Sequence, residues 1–203
     1  MPVGRDALDE KILDVTLERV LQVGIRRSSL DDIARRAGVN RVTIYRRFSG
    51  KDKLVEMVLE REAQRMLAEV TERAAAISGI DAQFEDAVLH VLRQTRLHRL
   101  VTQLLAVAPD EALSFYTVGG RDMLALGIQY ITRILERAQS IGAIDRYDPT
   151  PIAELIARLA HSLVLTPAGG VDFQDDDRAR EFVRNTIVPL MTYGITRKPD
   201  SGG

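Results

Sequence analysis

The sequence predicts an all-helical protein of about nine helices, and three observations carry that prediction. Aromatics make up 5% of the 203 residues and Trp is absent, while Ala, Leu, Arg and Glu are abundant, a composition that favours helices over strands. Apolar residues recur at spacings of three and four along most of the chain. The stretches between these patterns ("ISGID", "APD", "VGG", "GAIDRYDPTP", "TPAGGVDFQD") are rich in the residues that end helices and make turns.

Taken in order, Leu13, Leu17, Val20 and Leu21 place an apolar stripe on a first helix between Ala7 and Val23. Gly24 follows where a helix C-terminus favours a left-handed residue. In "SSLDDIARRAG", Ser28 or Ser29 is the N-cap of a short second helix, with Asp31 or Asp32 three residues on as a capping-box variant, and the helix stops near Gly38. Asn40 caps a third helix, whose Ile44 and Phe48 form an i, i+4 pair able to pack on Ile33 and Ala37.

Lys51 to Ala76 then runs without Pro or Gly. At about 1.5 Å per residue such a helix spans roughly 39 Å, long enough to join two domains rigidly. Further helical patterns cover about 82–107, 110–117, 120–142, 150–166 and 176–195. The expected division is a three-helix domain over 1–50 and a larger helical domain over 51–203, with 51–76 as the connecting lever.

Composition excludes several classes of function. With no Cys there is neither a disulfide framework nor a thiolate metal site. The apolar runs fall far short of the roughly 20 residues that cross a bilayer, and "MPVGRDALDEKIL" lacks the apolar core of a signal peptide. A cytoplasmic protein with no membrane partner is expected. The formal net charge of -1 conceals an asymmetry: residues 1–53 hold 12 Lys+Arg against 8 Asp+Glu, and residues 35–53 hold seven basic residues to one acidic. That end is a candidate anion-binding surface.

Two short helices joined by a Gly-containing turn, the second basic on its outer side, make a helix-turn-helix, a motif that lays its second helix in the major groove of DNA. With Ile44 and Phe48 inward, Val42, Thr43, Tyr45 and Arg46 face outward and Arg41 leads. Arg41 can fork to guanine O6 and N7, Val42 and the Thr43 methyl can touch a thymine methyl, and the Thr43 and Tyr45 hydroxyls can reach phosphates. Arg46, Arg47 and Lys51 are expected to neutralise phosphates, and Ser28 or Ser29 to present backbone N–H groups to another.

The stretch "SSLDDIARRAGVNRVTIYRRFSGKDKL" resembles the N-terminal signature of TetR-type bacterial transcription regulators. The matching positions are Ser28/Ser29, Ile33–Ala34, Ala37–Gly38–Val39, Asn40, Thr43, Ile44, Tyr45, Phe48 and Lys51 to Leu54, within a resemblance over about residues 8–56. Thr16, Val42 and Arg47 depart from the commoner family residues. The resemblance implies a ligand-responsive regulator, usually a repressor, that binds a near-palindromic double-stranded DNA operator as a dimer. It further implies a C-terminal helical domain that binds a small molecule and dimerises through its last two helices.

The remaining candidates favour no catalytic chemistry. His90, His98 and His161 form no metal-ligand pattern, "DFQDDD" lacks the glycine and alternation of a calcium loop, and "VGGRD" is too short for a phosphate loop. No enzyme activity, cofactor or metal is expected. Thr95, His98, Tyr116, Tyr130 and His161 are candidate effector-pocket residues, sparse polar groups on apolar faces. The apolar character of Phe84, Val88, Leu92, Met123 and Ile134 around them points to a mainly apolar effector. Ile152, Leu155, Ile156, Leu159, Leu163 and Val164, with Phe182, Val183, Ile187, Leu190 and Met191, point to a homodimer through 150–166 and 176–195. The alternative is a helical small-molecule carrier or enzyme that retains a non-specific DNA-binding head.

Overall fold

A computed structural model of the chain describes residues 6–117 and 119–195, with the backbone alone at Arg96. Residues 1–5 and 196–203, included in the expected domains, lie outside the described residues. Regular structure among the described residues is helical: α1 (Ala7–Val23), α2 (Leu30–Ala37), α3 (Arg41–Phe48), α4 (Lys51–Ala75), α5 (Ile80–Leu97), α6 (Arg99–Val107), α7 (Pro109–Tyr116), α8 (Arg121–Ser140) and α9 (Thr150–Leu165). The last helix comprises α10 (Asp176–Phe182), a π-helical turn (Val183–Ile187) and α11 (Val188–Tyr193).

Two details correct the expected pattern. The periodicity over 82–107 is two helices, because His98 is extended (φ −60°, ψ 128°) and its Nδ1 accepts the Leu100 N–H at 3.2 Å, capping α6. Neutral imidazole is an acceptor, so His can take a position usually held by Ser, Thr, Asn or Asp. In the last helix, Pro189 has no N–H to donate and its ring crowds the carbonyl four residues back. The turn before it widens to the π form, with the Val188 N–H donating to Val183 O.

The helices form two compact units. The first holds the described residues through Met66 together with His98–Gly119, and the second holds Leu67–Leu97 with those from Gly120 on. α6 and α7 thus group with the N-terminal helices, and α4 supplies residues to both units.

In the first unit, Ile12 and Leu13 of α1, Ile33 and Ala37 of α2, Ile44 and Phe48 of α3, and Leu54 and Val58 of α4 share one core. Burying each of the larger side chains contributes about 1.5–3 kcal/mol. Arg61 of α4 is buried and bridges to α1, 3.0 Å from Glu10 and 2.9 Å from Asp14.

In the second unit, Phe84, Val88 and Leu92 of α5 pack with Leu135, Ile152, Ile156, Val183, Ile187 and Met191. The 141–149 loop is tied to the last helix: Asp145 N–H donates to Thr192 O at 2.9 Å and the Tyr147 hydroxyl to Met191 O. Gly194 (φ 76°) ends that helix where a Cβ would come within 2.8 Å of the Tyr147 ring. No described helix is long and apolar enough to cross a membrane.

Candidate nucleic-acid interface

Local chemistry builds the helix-turn-helix. The Ser29 hydroxyl accepts the Asp32 N–H at 3.1 Å and starts α2. Gly38 ends α2 in the left-handed region (φ 73°, ψ 32°), which costs glycine little, and its N–H satisfies carbonyls of Ala34 and Arg35. Asn40 Oδ1 then accepts both the Thr43 N–H at 2.8 Å and its hydroxyl at 3.0 Å, starting α3. Because Ile44 and Phe48 are buried, the opposite face is turned out: Val42 is 73% and Tyr45 46% exposed, and Arg41 and Arg46 are exposed beside them.

The cations of this surface differ in how far they are committed. Arg41 Nη1 lies 3.2 Å from Asp31 Oδ2, its Nη2 donates to the Tyr45 hydroxyl at 3.3 Å, and its guanidinium carbon is 5.4 Å from the Tyr45 ring centroid. The hydrogen bond to Tyr45, then the Asp31 charge, hold Arg41 protonated even above the usual arginine range. Arg46 has no ion-pair partner among the described residues. Arg47 departs from its expected place: its Nη1 is 2.6 Å from Asp6 and 2.7 Å from Asp9, so it ties α3 to the start of α1. Hydrogen bonding to Arg47 holds the Asp6 carboxyl below the usual carboxylate range.

The two serines separate. Ser28 is fully buried and its hydroxyl donates to Gly24 O at 2.7 Å, so its side chain is not presented to a phosphate; Ser29 is exposed at the N-terminus of α2. The capping box is half made, since the Asp32 carboxylate turns to Arg19 (2.5 Å), Arg36 (3.1 Å) and Arg35. Lys51 Nζ donates to the Arg26 carbonyl at 3.0 Å, at the start of α4.

Arg26, Asp31 and Glu111 belong to this surface without a signal in the sequence. The Arg26 N–H donates to Glu111 Oε2 at 3.0 Å, so the turn before α2 is held by α7 on one side and by Lys51 on the other. Asp31 meets Arg41 across the turn. Glu111 lies 85 residues from Arg26 and Asp31 ten from Arg41, separations for which neither helical periodicity nor capping chemistry gives a cue.

The expected effector residues fall in both units. In the first, His98 is the α6 cap, and Tyr116 is buried edge-on to Phe115 (ring centroids 5.0 Å), where burial pushes its phenol up to about 12. In the second, the Thr95 hydroxyl donates to Leu92 O at 2.7 Å, Tyr130 and Thr71 share a hydrogen bond of 2.8 Å, and His161 is half-buried. Burial, then the Arg158 charge, hold His161 below the usual histidine range. A surface hollow of about 360 Å³ in the second unit is bordered by Asp81, Glu85, Arg184, Val188, Thr192 and Tyr193, among others, and by none of those five.

Residues 12–58 match the family model described as bacterial regulatory proteins, tetR family. Over 50 residues the chain is 40% identical to the uncharacterized HTH-type transcriptional regulator TtgW of Pseudomonas putida, a match spanning 25% of this chain and 37% of that protein. Among solved structures, the TetR family repressor AlkX from Dietzia sp. superposes with a TM-score of 0.68 at 18% identity, over 93% of this chain and 97% of that one. The R. erythropolis transcriptional repressor QsdR superposes with a TM-score of 0.64 at 17% identity, over 96% and 98%. The structures establish the fold, and over residues 12–58, which hold the helix-turn-helix, the chain is similar in sequence to bacterial regulatory proteins of the tetR family.

Proposed function

We propose that the chain is a dimeric transcriptional repressor that binds a near-palindromic DNA operator through α3 and lets go when a mainly apolar small molecule binds its helical C-terminal part. The observation that carries the reading is the outer face of α3, where Val42 and Tyr45 are exposed between Arg41 and Arg46 on a helix seated by Asn40, Ile44 and Phe48. Apolar and aromatic side chains left in water beside arginines suit a partner with both base edges and phosphates.

Arg41, Val42 and Thr43 would meet base edges. Tyr45, Arg46, Lys51 and the N-terminus of α2 at Ser29 would meet the backbone. The unbroken α4 supports its role as the lever that changes the spacing of two reading heads. Thr95, Tyr130 and His161, polar groups on partly buried helix faces, support an effector with few polar groups.

Selection from randomised duplexes tests the reading. A two-fold repeated sequence is expected, and the same sequence should shift in gels when taken from DNA flanking the chain's own gene. Sequence-blind binding would count for a carrier or enzyme with a vestigial head. Arg41→Ala should weaken the cognate duplex about tenfold or more and broaden the preference at one base pair per half-site.

A further inference from the structure

We propose that Asp31 is a positioning residue for operator readout: its carboxylate, together with Tyr45, orients the Arg41 guanidinium toward base edges and withholds it from phosphates. The proposal rests on the reading of α3 as the recognition helix. The arrangement has one acceptor on each arm of the fork, Asp31 Oδ2 at 3.2 Å from Nη1 and the Tyr45 hydroxyl at 3.3 Å from Nη2, with the Tyr45 ring beneath. A guanidinium has five N–H donors, so two occupied ones leave one on each Nη and that of Nε for guanine O6 and N7.

Asp31 has no evident structural task. Its side chain is 67% exposed, and an exposed ion pair adds little to stability. α2 is already capped by Ser29 and has a second first-turn acid in Asp32. A carboxylate on this surface also repels the DNA backbone, which lowers affinity for every sequence alike. Being uniform, that cost cancels in the ratio of cognate to non-specific affinity, so a change in the ratio reports the orientation of Arg41. The same logic runs through the motif: Asp32 occupies Arg19, Arg35 and Arg36, and Asp6 and Asp9 occupy Arg47.

The test compares the full-length parent with Asp31→Asn, and with Asp31→Ala should the amide still hold Arg41, on the selected duplex and on a scrambled one. The ratio of the two affinities is expected to fall by about three- to tenfold, part of what one bidentate arginine on guanine confers. Most of the fall should come from tighter scrambled binding, with a log-log salt slope steeper by about 0.9 for each additional phosphate that the protein neutralises. In an Arg41→Ala background Asp31→Asn should leave the ratio unchanged. An unaltered ratio, equal weakening on both duplexes, or the same fall without Arg41 would overturn the proposal. A parent with no sequence preference would instead overturn the recognition-helix reading beneath it.

Discussion

Arg46 and Arg47 are neighbours in the chain with opposite surroundings, one exposed without an ion-pair partner among the described residues and the other held by Asp6 and Asp9. Arg46→Ala is expected to flatten the log-log salt slope of DNA binding by about 0.9 for each phosphate no longer neutralised. Arg47→Ala should leave that slope unchanged and lower the melting temperature, because it frees α3 from the start of α1. Lys51→Ala should weaken all duplexes about equally without changing which base is preferred, as read by binding-site selection. Ser28→Ala removes a buried donor from Gly24 O and should cost about 1–3 kcal/mol in urea unfolding, since a buried carbonyl is left unpaired.

At the scale of elements, the caps determine where the short helices begin. α3 has eight residues, too few to be stable on propensity alone, so its register depends on Asn40 and on the Ile44–Phe48 face. Asn40→Ala should cost about 1 kcal/mol of stability, measured by urea unfolding, and weaken operator binding because Thr43 loses both bonds to Asn40. The positions of α1 to α4 are legible in the sequence because apolar spacing, Gly38 and Asn40 are local signals. The break at His98 is not, because His seldom caps and the apolar pattern continues past it; only the backbone turn reveals the Nδ1 bond to Leu100.

For the whole molecule, the apolar surface left on α9 and the last helix supports the proposed dimer: Leu155 and Tyr193 are 48% and 58% exposed, while Ile152, Ile156 and Val183 fill the core. Leu155→Glu is expected to give a monomer by sedimentation at micromolar concentration with the helical content retained. Stability should also fall in mild acid. Burial holds His90 and His161 below the usual histidine range, with Glu69 opposing at His90 and Arg158 adding at His161. Between those lowered values and about 6.5 the unfolded chain binds more protons, so this stabilisation is complete above about pH 6.5 and is lost as pH falls through the folded values. The melting temperature should drop between about pH 7.5 and about pH 5.5, and His161→Gln should lessen the drop.

The sequence by itself determined the helical class, the helix-turn-helix and the face of α3 turned outward, because periodicity, caps and turn residues act within a few positions of one another. Only the tertiary structure decided which of the basic residues are available. Arg47 pairs with Asp6 and Asp9, Arg41 with Asp31, and the Arg26 backbone with Glu111. Ser28 and Ser29 likewise look alike in sequence, yet one is buried against Gly24 and the other caps α2. The physical reason is range: a helix face is set by the geometry of neighbouring residues, whereas an ion pair forms between whatever side chains packing brings within about 4 Å, however far apart they lie along the chain.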